Sequence, residues 1–438
     1  MKYFYLDIIL SFILAALFTD PAIIVSYFGL RWLGVFYLKY FIEGADFKVK
    51  KIYNIVFIMY MSYLALTHFV NIDDPLTDYF YHNDQIVFYK EALRNGILDW
   101  SELIDRCTLS EYPIFVLFTG SLYKLGSFLQ VTDLLLFFKM SVVLLGSLIP
   151  STISSTLNLL NIRFKVSSFI YFSVFSYILI QSVVFSRDTA VAFFYTLFAY
   201  LIFAPAIKWR TVRILIVMLV IAGLRIQYGL FSLLFFIIFL ISRDGTYKRF
   251  KYFIIFILAI AAYYFKVFEV GINMFVEGLE HYGEYTASVS TNSGSLYLKI
   301  AGLPFPFNFL FSLFYTVMMP LPIFQWAIDD LTLLPSIISP FYWIYVLSVS
   351  ACILFKNRRE YTALDLFLIA SLLCISLSSY IEPNVRRNFA VYPLIYLHYM
   401  VVKNTLSIRY RNSVLVFTSL FVVGINIMAY VYLIFRFL

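Results

Sequence analysis

The sequence predicts an all-α polytopic membrane protein, a class indicated by its composition and by its hydropathy pattern. Of the 438 residues, 62% are hydrophobic and 13% are charged, and the mean hydropathy is +0.86. Apolar runs of bilayer-spanning length recur along the chain, which no water-soluble core requires. We therefore expect one transmembrane domain over residues 1–438, with roughly 13 to 15 crossings of about 20 residues each.

The apolar runs follow one another with few interruptions. The first begins directly after Lys2, lacks a small-residue cleavage site and leads into another apolar run, so we interpret it as a retained span rather than a signal peptide. Segment 149–162 is only weakly apolar and is expected to form a short or re-entrant helix, and the runs flanking Arg225 are too short for two upright spans. The predicted spans are 3–19, 22–42, 54–70, 113–129, 132–148, 166–184, 189–206, 213–224, 226–241, 252–266, 304–324, 336–355, 362–380, 389–402 and 413–435.

Basic residues cluster in the linkers between these runs, at 48–51, 163–165, 208–213, 243–251, 356–359 and 403–411. All of these linkers lie on one side of the membrane if 149–162 makes a return crossing, and the positive-inside rule places that side in the cytoplasm. The net charge of +8 is spread over these short clusters rather than gathered into one basic patch. This distribution argues against a nucleic-acid partner.

Two longer loops then fall on the external side. Loop 71–112 carries nine acidic residues against three basic ones, and loop 267–303 carries several glutamates. Within the first loop, apolar positions recur at helical spacing and predict an amphipathic helix on the outer membrane surface. These positions are Ile86, Tyr89, Leu93 and Ile97.

Four arginines break the positive-inside pattern, because this orientation leaves them at the external ends of spans. They are Arg187, Arg225, Arg386 and Arg387. An arginine near hydrocarbon is costly and usually faces a cavity, a counter-charge or a substrate, and a guanidinium matches phosphate oxygens in a bidentate manner. Four of them on one side favour a site for a diphosphate. The alternative for each is an ordinary lipid phosphate or a neighbouring acid, as Arg187 with Asp188 or Arg386 with Glu382.

The external acids and two histidines are candidates for general-base catalysis. The acids are Asp84, with the nearby Asp73, Asp74 and Asp78, and Glu382; the histidines are His82 and His281. Solvated acids would show the same pattern. Their spacing matches no EF-hand or zinc site, so no metal is expected, and three cysteines suggest no disulfide framework. The prolines of segment 304–322 predict a broken or re-entrant helix beside the site.

Four short motifs resemble those of the Wzy-type polymerases of bacterial O-antigen and capsular polysaccharide and of the related EpsG-like membrane proteins. They are the Ser186–Arg187–Asp188 opening of a span, the GLRIQYGL stretch at 223–230, the PFPFNF segment at 304–309, and the pair Arg386 and Arg387 followed by Tyr392–Pro393. Among the motif residues, the resemblance implies that Gln227, Tyr228 and Asn308 line the substrate. No nucleotide-binding or hydrolase motif accompanies them.

This resemblance implies a GT-C-type glycosyltransferase in the bacterial inner membrane, with its active site on the periplasmic side. It implies transfer of a growing glycan from undecaprenyl diphosphate to a hydroxyl of an incoming repeat unit, without metal or cofactor. Arg225, Arg386, Arg387 and Arg187 would bind the diphosphate, and Asp84 or Glu382 would take the acceptor proton, with His281 as a further candidate. The implied partners are lipid-linked oligosaccharides, the bilayer and a chain-length regulator.

Two alternatives remain open. A GT-C glycosyltransferase that uses a polyprenyl-phosphate sugar would place catalysis on the acids between Asp73 and Asp84. A flippase for lipid-linked oligosaccharides would also need arginines near the membrane core.

Overall fold

The computed structural model describes residues 2–70, 82–110, 112–203, 209–242, 303–304, 307–308, 311–312, 315, 334–356, 363–381 and 389–437. These ranges are helical and contain no β-strand. They divide into two compact units, the first made of the described residues up to Gly229 together with 334–343 and the second made of the remainder.

The helices up to residue 224 belong to the first unit: α1 (Lys2–Leu17), α2 (Ala22–Tyr40), α3 (Phe47–Val70), α4 (His82–Ile97), α5 (Trp100–Leu109), α6 (Pro113–Phe128), α7 (Leu134–Leu159), α8 (Val166–Phe175), α9 (Ile178–Val183), α10 (Asp188–Phe203) and α11 (Arg210–Leu224). The others are α12 (Ile226–Ser242), α13 (Leu334–Lys356), α14 (Ala363–Ile381), α15 (Tyr392–Val402) and α16 (Ile408–Phe437). Within the described ranges, four helical stretches are long and apolar enough to cross a membrane: Ala22–Tyr40, Phe47–Val70, Leu134–Leu159 and Ile408–Val431.

Helix α7 is the buried centre of the first unit, and its continuity corrects one prediction. The short or re-entrant helix expected at 149–162 does not exist as a separate element, because α7 continues to Leu159. Pro150 lacks an N–H donor, but the hydroxyls of Ser151, Thr152 and Thr156 donate to carbonyls four residues earlier, at 3.3, 2.9 and 2.9 Å. Because these hydroxyls bond to carbonyls of their own helix, the weakly apolar sequence can remain helical and buried.

Helices α3 and α7 run antiparallel with matched ends. At one end His68 Nε2 lies 2.7 Å from Asp133 Oδ2, and at the other Asn158 Nδ2 donates to the Gly44 carbonyl at 3.0 Å. The chain therefore leaves α3 and enters α7 at the same end. The predicted span at 113–129 is present as helix α6, which lies between these two points. Because α7 is one continuous helix, the basic residues 48–51 and 163–165 lie at the same end of the α3–α7 pair.

The predicted span at 166–184 is interrupted. Ser176 has an extended backbone with φ −106 and ψ 162, and it separates α8 from α9, a buried helix of 6 residues. The hydroxyl of Ser176 accepts from the backbone N–H of Ile178 at 3.3 Å, which covers one of the free donors at the start of α9. The break brings the chain to Arg187 without a continuous helix.

Helices α4, α5 and α6 form a helical segment between α3 and α7. The predicted helix within 71–112 is present as α4, and residues outside its predicted apolar stripe are buried against the rest of the first unit. Its buried positions are Gln85, Ala92, Asn95 and Gly96, whereas Ile97 is exposed. Asn95 Nδ2 donates to Thr119 Oγ1 of α6 at 3.2 Å, and a Cβ at Gly96 would collide with the ring of Tyr123. Small and polar residues thus allow α4 and α6 to approach closely. The loop 267–303 lies outside the described residues except for Leu303, as does most of the segment 304–322.

Candidate functional site

Two interruptions between helices place charged side chains together in the first unit. Arg187 caps α10, since its carbonyl accepts from the Val191 N–H at 3.0 Å. Arg225 lies between α11 and α12 with an extended backbone, φ −163 and ψ 107, and its carbonyl accepts from Tyr228 N at 3.0 Å. Asp188 begins α10. The three charged residues therefore occupy helix ends, where the backbone has free polar groups and can direct side chains inward.

Arg225 and Asp188 form a buried ion pair. Arg225 Nη1 donates to Asp188 Oδ1 at 2.5 Å, and each side chain is 5% exposed. The guanidinium also lies over the ring of Tyr228, with 5.4 Å between Cζ and the ring centroid. Tyr195 in turn donates its hydroxyl to the Tyr228 carbonyl at 2.6 Å. Removing one member of such a pair leaves a buried charge uncompensated, at a typical cost of about 3–5 kcal/mol.

Arg187 is held by aromatic rings instead of a carboxylate. Its Cζ lies 3.8 Å from the ring centroid of Tyr112 and 5.4 Å from that of Phe88. Its Nη1 is buried and has no hydrogen-bond partner within the described residues, and the same holds for the hydroxyl of Ser186. No ion pair between Arg187 and Asp188 is formed in that part of the chain, because Asp188 turns to Arg225. The neighbouring-acid alternative therefore fails for the Arg187–Asp188 pair.

The segment α4–α6 supplies the rings that cover Arg187. Phe88 of α4 packs on Phe115 of α6 with their ring centroids 5.1 Å apart, and Tyr112 precedes α6 as its N-terminal cap. Gln85 of α4 accepts from the backbone N–H of Phe185 at 3.0 Å, and Phe115 packs on Phe185. The segment that the sequence analysis assigned to an external loop thus contacts the chain directly before Arg187.

The structure brings together only some of the predicted site residues. Arg187, Arg225 and Tyr228 share one location, but Gln227 is exposed on α12 and Asn308 belongs to the second unit. For His82 and Asp84 the structure describes the backbone but not the side chain, and the remaining candidates lie entirely outside the described residues. These others are Glu382, His281, Arg386 and Arg387, with Asp73, Asp74 and Asp78.

Sequence reasoning missed several polar residues that the fold buries. Tyr112 and Phe88 gave no signal, because aromatic residues are common throughout the chain. A second buried ion pair, Arg31 with Asp7, joins α2 to α1 at 3.2 Å, and its charges within apolar runs were a readable sign. His–Asp pairs also connect His68 to Asp133 and His398 to Asp365. No group of three or more metal-binding side chains occurs among the residues described here.

Neither a family model, nor a curated protein sequence, nor a solved structure matches this chain.

Proposed function

We propose that this protein is a membrane glycosyltransferase that joins undecaprenyl-diphosphate-linked repeat units into O-antigen or capsular polysaccharide. The observation that carries the proposal is the convergence of Arg187 and Arg225 at one buried location beside Asp188. Within the described part of the chain, Asp188 forms its ion pair with Arg225 and not with Arg187, in a setting where isolated charge is costly. A phosphate group offers the compensating charge and the matching geometry.

The placement of the arginines along the helices supports an external site. Basic residues lie at the end of the α3–α7 pair at which Asn158 contacts Gly44, at 48–51 in the first turn of α3 and at 163–165 after α7. Phe185, two residues before Arg187, packs instead on Phe138 near the opposite end of α7, with 5.1 Å between ring centroids. If the basic end is cytoplasmic, as the positive-inside rule requires, the arginines lie toward the external face of a polytopic membrane protein.

The proposed reaction uses Arg187 for leaving-group stabilisation. A hydroxyl oxygen of the incoming repeat unit attacks the anomeric carbon of the growing glycan, and the bond from that carbon to the carrier diphosphate breaks. Negative charge develops on the departing diphosphate, where a prepositioned guanidinium lowers the barrier. The hydroxyl proton goes to a carboxylate, for which Asp84 and Glu382 remain our predictions, with His281 as a third candidate.

The test is a surface-polysaccharide gel of the source organism after deletion of the gene. We expect the ladder of chain lengths to collapse to a single added repeat unit, and an Arg187→Ala gene to leave it collapsed at normal protein level. Arg163→Ala is the matched control, because Arg163 is exposed beyond the far end of α7, and it should restore the ladder. A full ladder in the deletion strain contradicts the proposal.

One observation favours a second candidate, a flippase for the same lipid-linked oligosaccharides. The Asp7–Arg31 pair is buried between apolar helices, with side chains 7% and 9% exposed, and buried ionisable pairs in membrane helices are typical of transport pathways. The same gel separates the two functions. Loss of every repeat unit from the deletion strain, rather than retention of one, identifies the flippase.

A further inference from the structure

The two arginines of the site have different surroundings, and the difference assigns them different tasks. Arg225 has its counter-charge within the protein, since Asp188 contacts it at 2.5 Å in a setting where both side chains are 5% exposed. A ligand that took Arg225 would have to leave the carboxylate of Asp188 buried without its cation, which is unfavourable. Arg225 is therefore poorly placed to give up its partner to an anion.

Arg187 presents the opposite case. Its guanidinium contacts the rings of Tyr112 and Phe88, which attract a cation but do not neutralise it. Its Nη1 is buried without a hydrogen-bond partner among the described residues, so one donor of a permanently charged group is unused. The two rings cover the face of the guanidinium. A ligand would therefore approach Arg187 along the edge that carries Nη1.

Two further sources of hydrogen-bond donors lie next to Arg187 in the sequence. The hydroxyl of Ser186, a residue 4% exposed, also lacks a partner within the described ranges. Arg187 is the cap of α10, a helix of 16 residues, and the first N–H groups of a helix have no partner within it and carry partial positive charge. A hydroxyl, a guanidinium edge and a helix start together are the donor set of a phosphate site.

We infer that Arg187, with Ser186 and the start of α10, binds one phosphate group, whereas Arg225 is a positioning residue paired with Asp188. This inference rests on the proposed function for the biological ligand, a carrier diphosphate, but the site itself is defined by the contacts above.

Thermal stability of the purified full chain in detergent tests the charge assignment without any ligand. Arg187→Gln removes a charge that has no ion-pair partner among the described residues and should leave the melting temperature unchanged or raise it. Arg225→Met leaves the buried carboxylate of Asp188 without its cation and should lower the melting temperature. The double variant Arg225→Met with Asp188→Leu should recover most of this loss. A lower melting temperature for Arg187→Gln, or none for Arg225→Met, overturns the inference.

Equilibrium binding then tests the ligand, with farnesyl diphosphate as the lipid probe and inorganic pyrophosphate as the free-phosphate probe. Arg187→Gln should weaken binding of farnesyl diphosphate at least tenfold, about 1.4 kcal/mol, whereas the double variant and the control Arg163→Gln should each stay within about threefold. If pyrophosphate shows the same pattern, the site recognises phosphate itself; if it does not bind, the site recognises the lipid-linked form. Unchanged binding by Arg187→Gln, or an equal loss in the double variant, rejects the site.

These outcomes are independent of the gel that tests the proposed function. If Arg187→Gln weakens binding of farnesyl diphosphate but deletion of the gene leaves the polysaccharide ladder intact, the phosphate site is supported and the polymerase proposal is rejected.

Discussion

The buried charges of Asp7 and Arg31 in the first unit are paired with residues that lie far away in the sequence. Asp7 accepts from Tyr27 at 2.7 Å and from Arg31 at 3.2 Å, and Arg31 also donates to Asn54 at 2.6 Å. The rings of Tyr53 and Phe57 lie over the same guanidinium, 4.9 and 5.0 Å from its Cζ. Three helices, α1 to α3, are thus joined through one arginine.

We expect Asp7→Ala to lower the free energy of unfolding by about 3–5 kcal/mol, because the Arg31 charge stays buried without its carboxylate. The double variant Asp7→Leu with Arg31→Met removes both charges and should recover most of this loss. Thermal unfolding in detergent measures both changes. Equal destabilisation by the single and double variants would show that the packing of these side chains, not their pairing, is responsible.

A second residue-scale prediction concerns Asp133, in the turn between α6 and α7. Burial alone would raise the pKa of its carboxyl, but the hydrogen bond with His68 and the nearby charges of His68 and Lys139 lower it below its usual value. The carboxylate therefore stabilises the fold above the unfolded-state pKa of about 4, and this stabilisation is lost as the pH falls through the lower folded-state pKa.

Asp133→Asn should accordingly cost on the order of 1–3 kcal/mol near pH 6, and its melting temperature should converge with that of the wild type as the pH drops below about 4. Melting curves of both proteins between pH 3 and pH 6 provide the comparison. A difference that stays constant over this range contradicts an electrostatic role for the pair.

Close approach between helices depends on a few glycines at defined positions. Gly146 in the middle of α7 faces Ser182 of α9, and a Cβ there would overlap both the Oγ and the Cβ of that serine. Gly29 in α2 has no atom within 4 Å of the corresponding position. Substitution of Gly146 by alanine therefore tests the packing of two helices, whereas the same substitution at Gly29 tests helix propensity alone.

We expect Gly146→Ala to destabilise the protein by about 1–3 kcal/mol through overpacking, and Gly29→Ala to be neutral or to stabilise by up to about 1 kcal/mol through helix propensity. Adding Ser182→Gly to Gly146→Ala should restore part of the loss, since it removes the overlapping atoms. Unfolding midpoints of the four proteins test this. A harmless Gly146→Ala would mean that α7 and α9 are farther apart than the structure places them.

The course of the whole chain depends on α6, because residues 129–133 must lie on the same side as the end of α3. We predict that a cysteine at Gln130 reacts with a membrane-impermeant maleimide from outside intact cells, whereas one at Arg163 does not. Both positions are exposed, and the native Cys107, Cys352 and Cys374 would be replaced by alanine. Labelling of the two positions from one side would instead contradict a single crossing by α7.

The local hydropathy pattern of the sequence identified the helices of this protein but not which helices pack against one another. Hydropathy predicted apolar helices at α1, α2, α11 and α12 and the interruption at Arg225, because each depends on residues adjacent in sequence. It failed at α7, where hydroxyl groups bonded to their own helix allow a weakly apolar stretch to remain helical. Hydropathy also did not show which residues of α4 contact α6, because small residues that allow close approach carry no hydropathy signal.

The arginines show the same division at the candidate site. The sequence by itself determined that Arg187, Asp188 and Arg225 lie at helix ends within apolar surroundings. Only the tertiary structure decided that Asp188 pairs with Arg225, 37 residues away, and leaves Arg187 to the rings of Tyr112 and Phe88. Adjacent residues at a helix start point in different directions, so which cation meets the carboxylate is fixed by the packing of α10 against α11 and not by proximity along the chain.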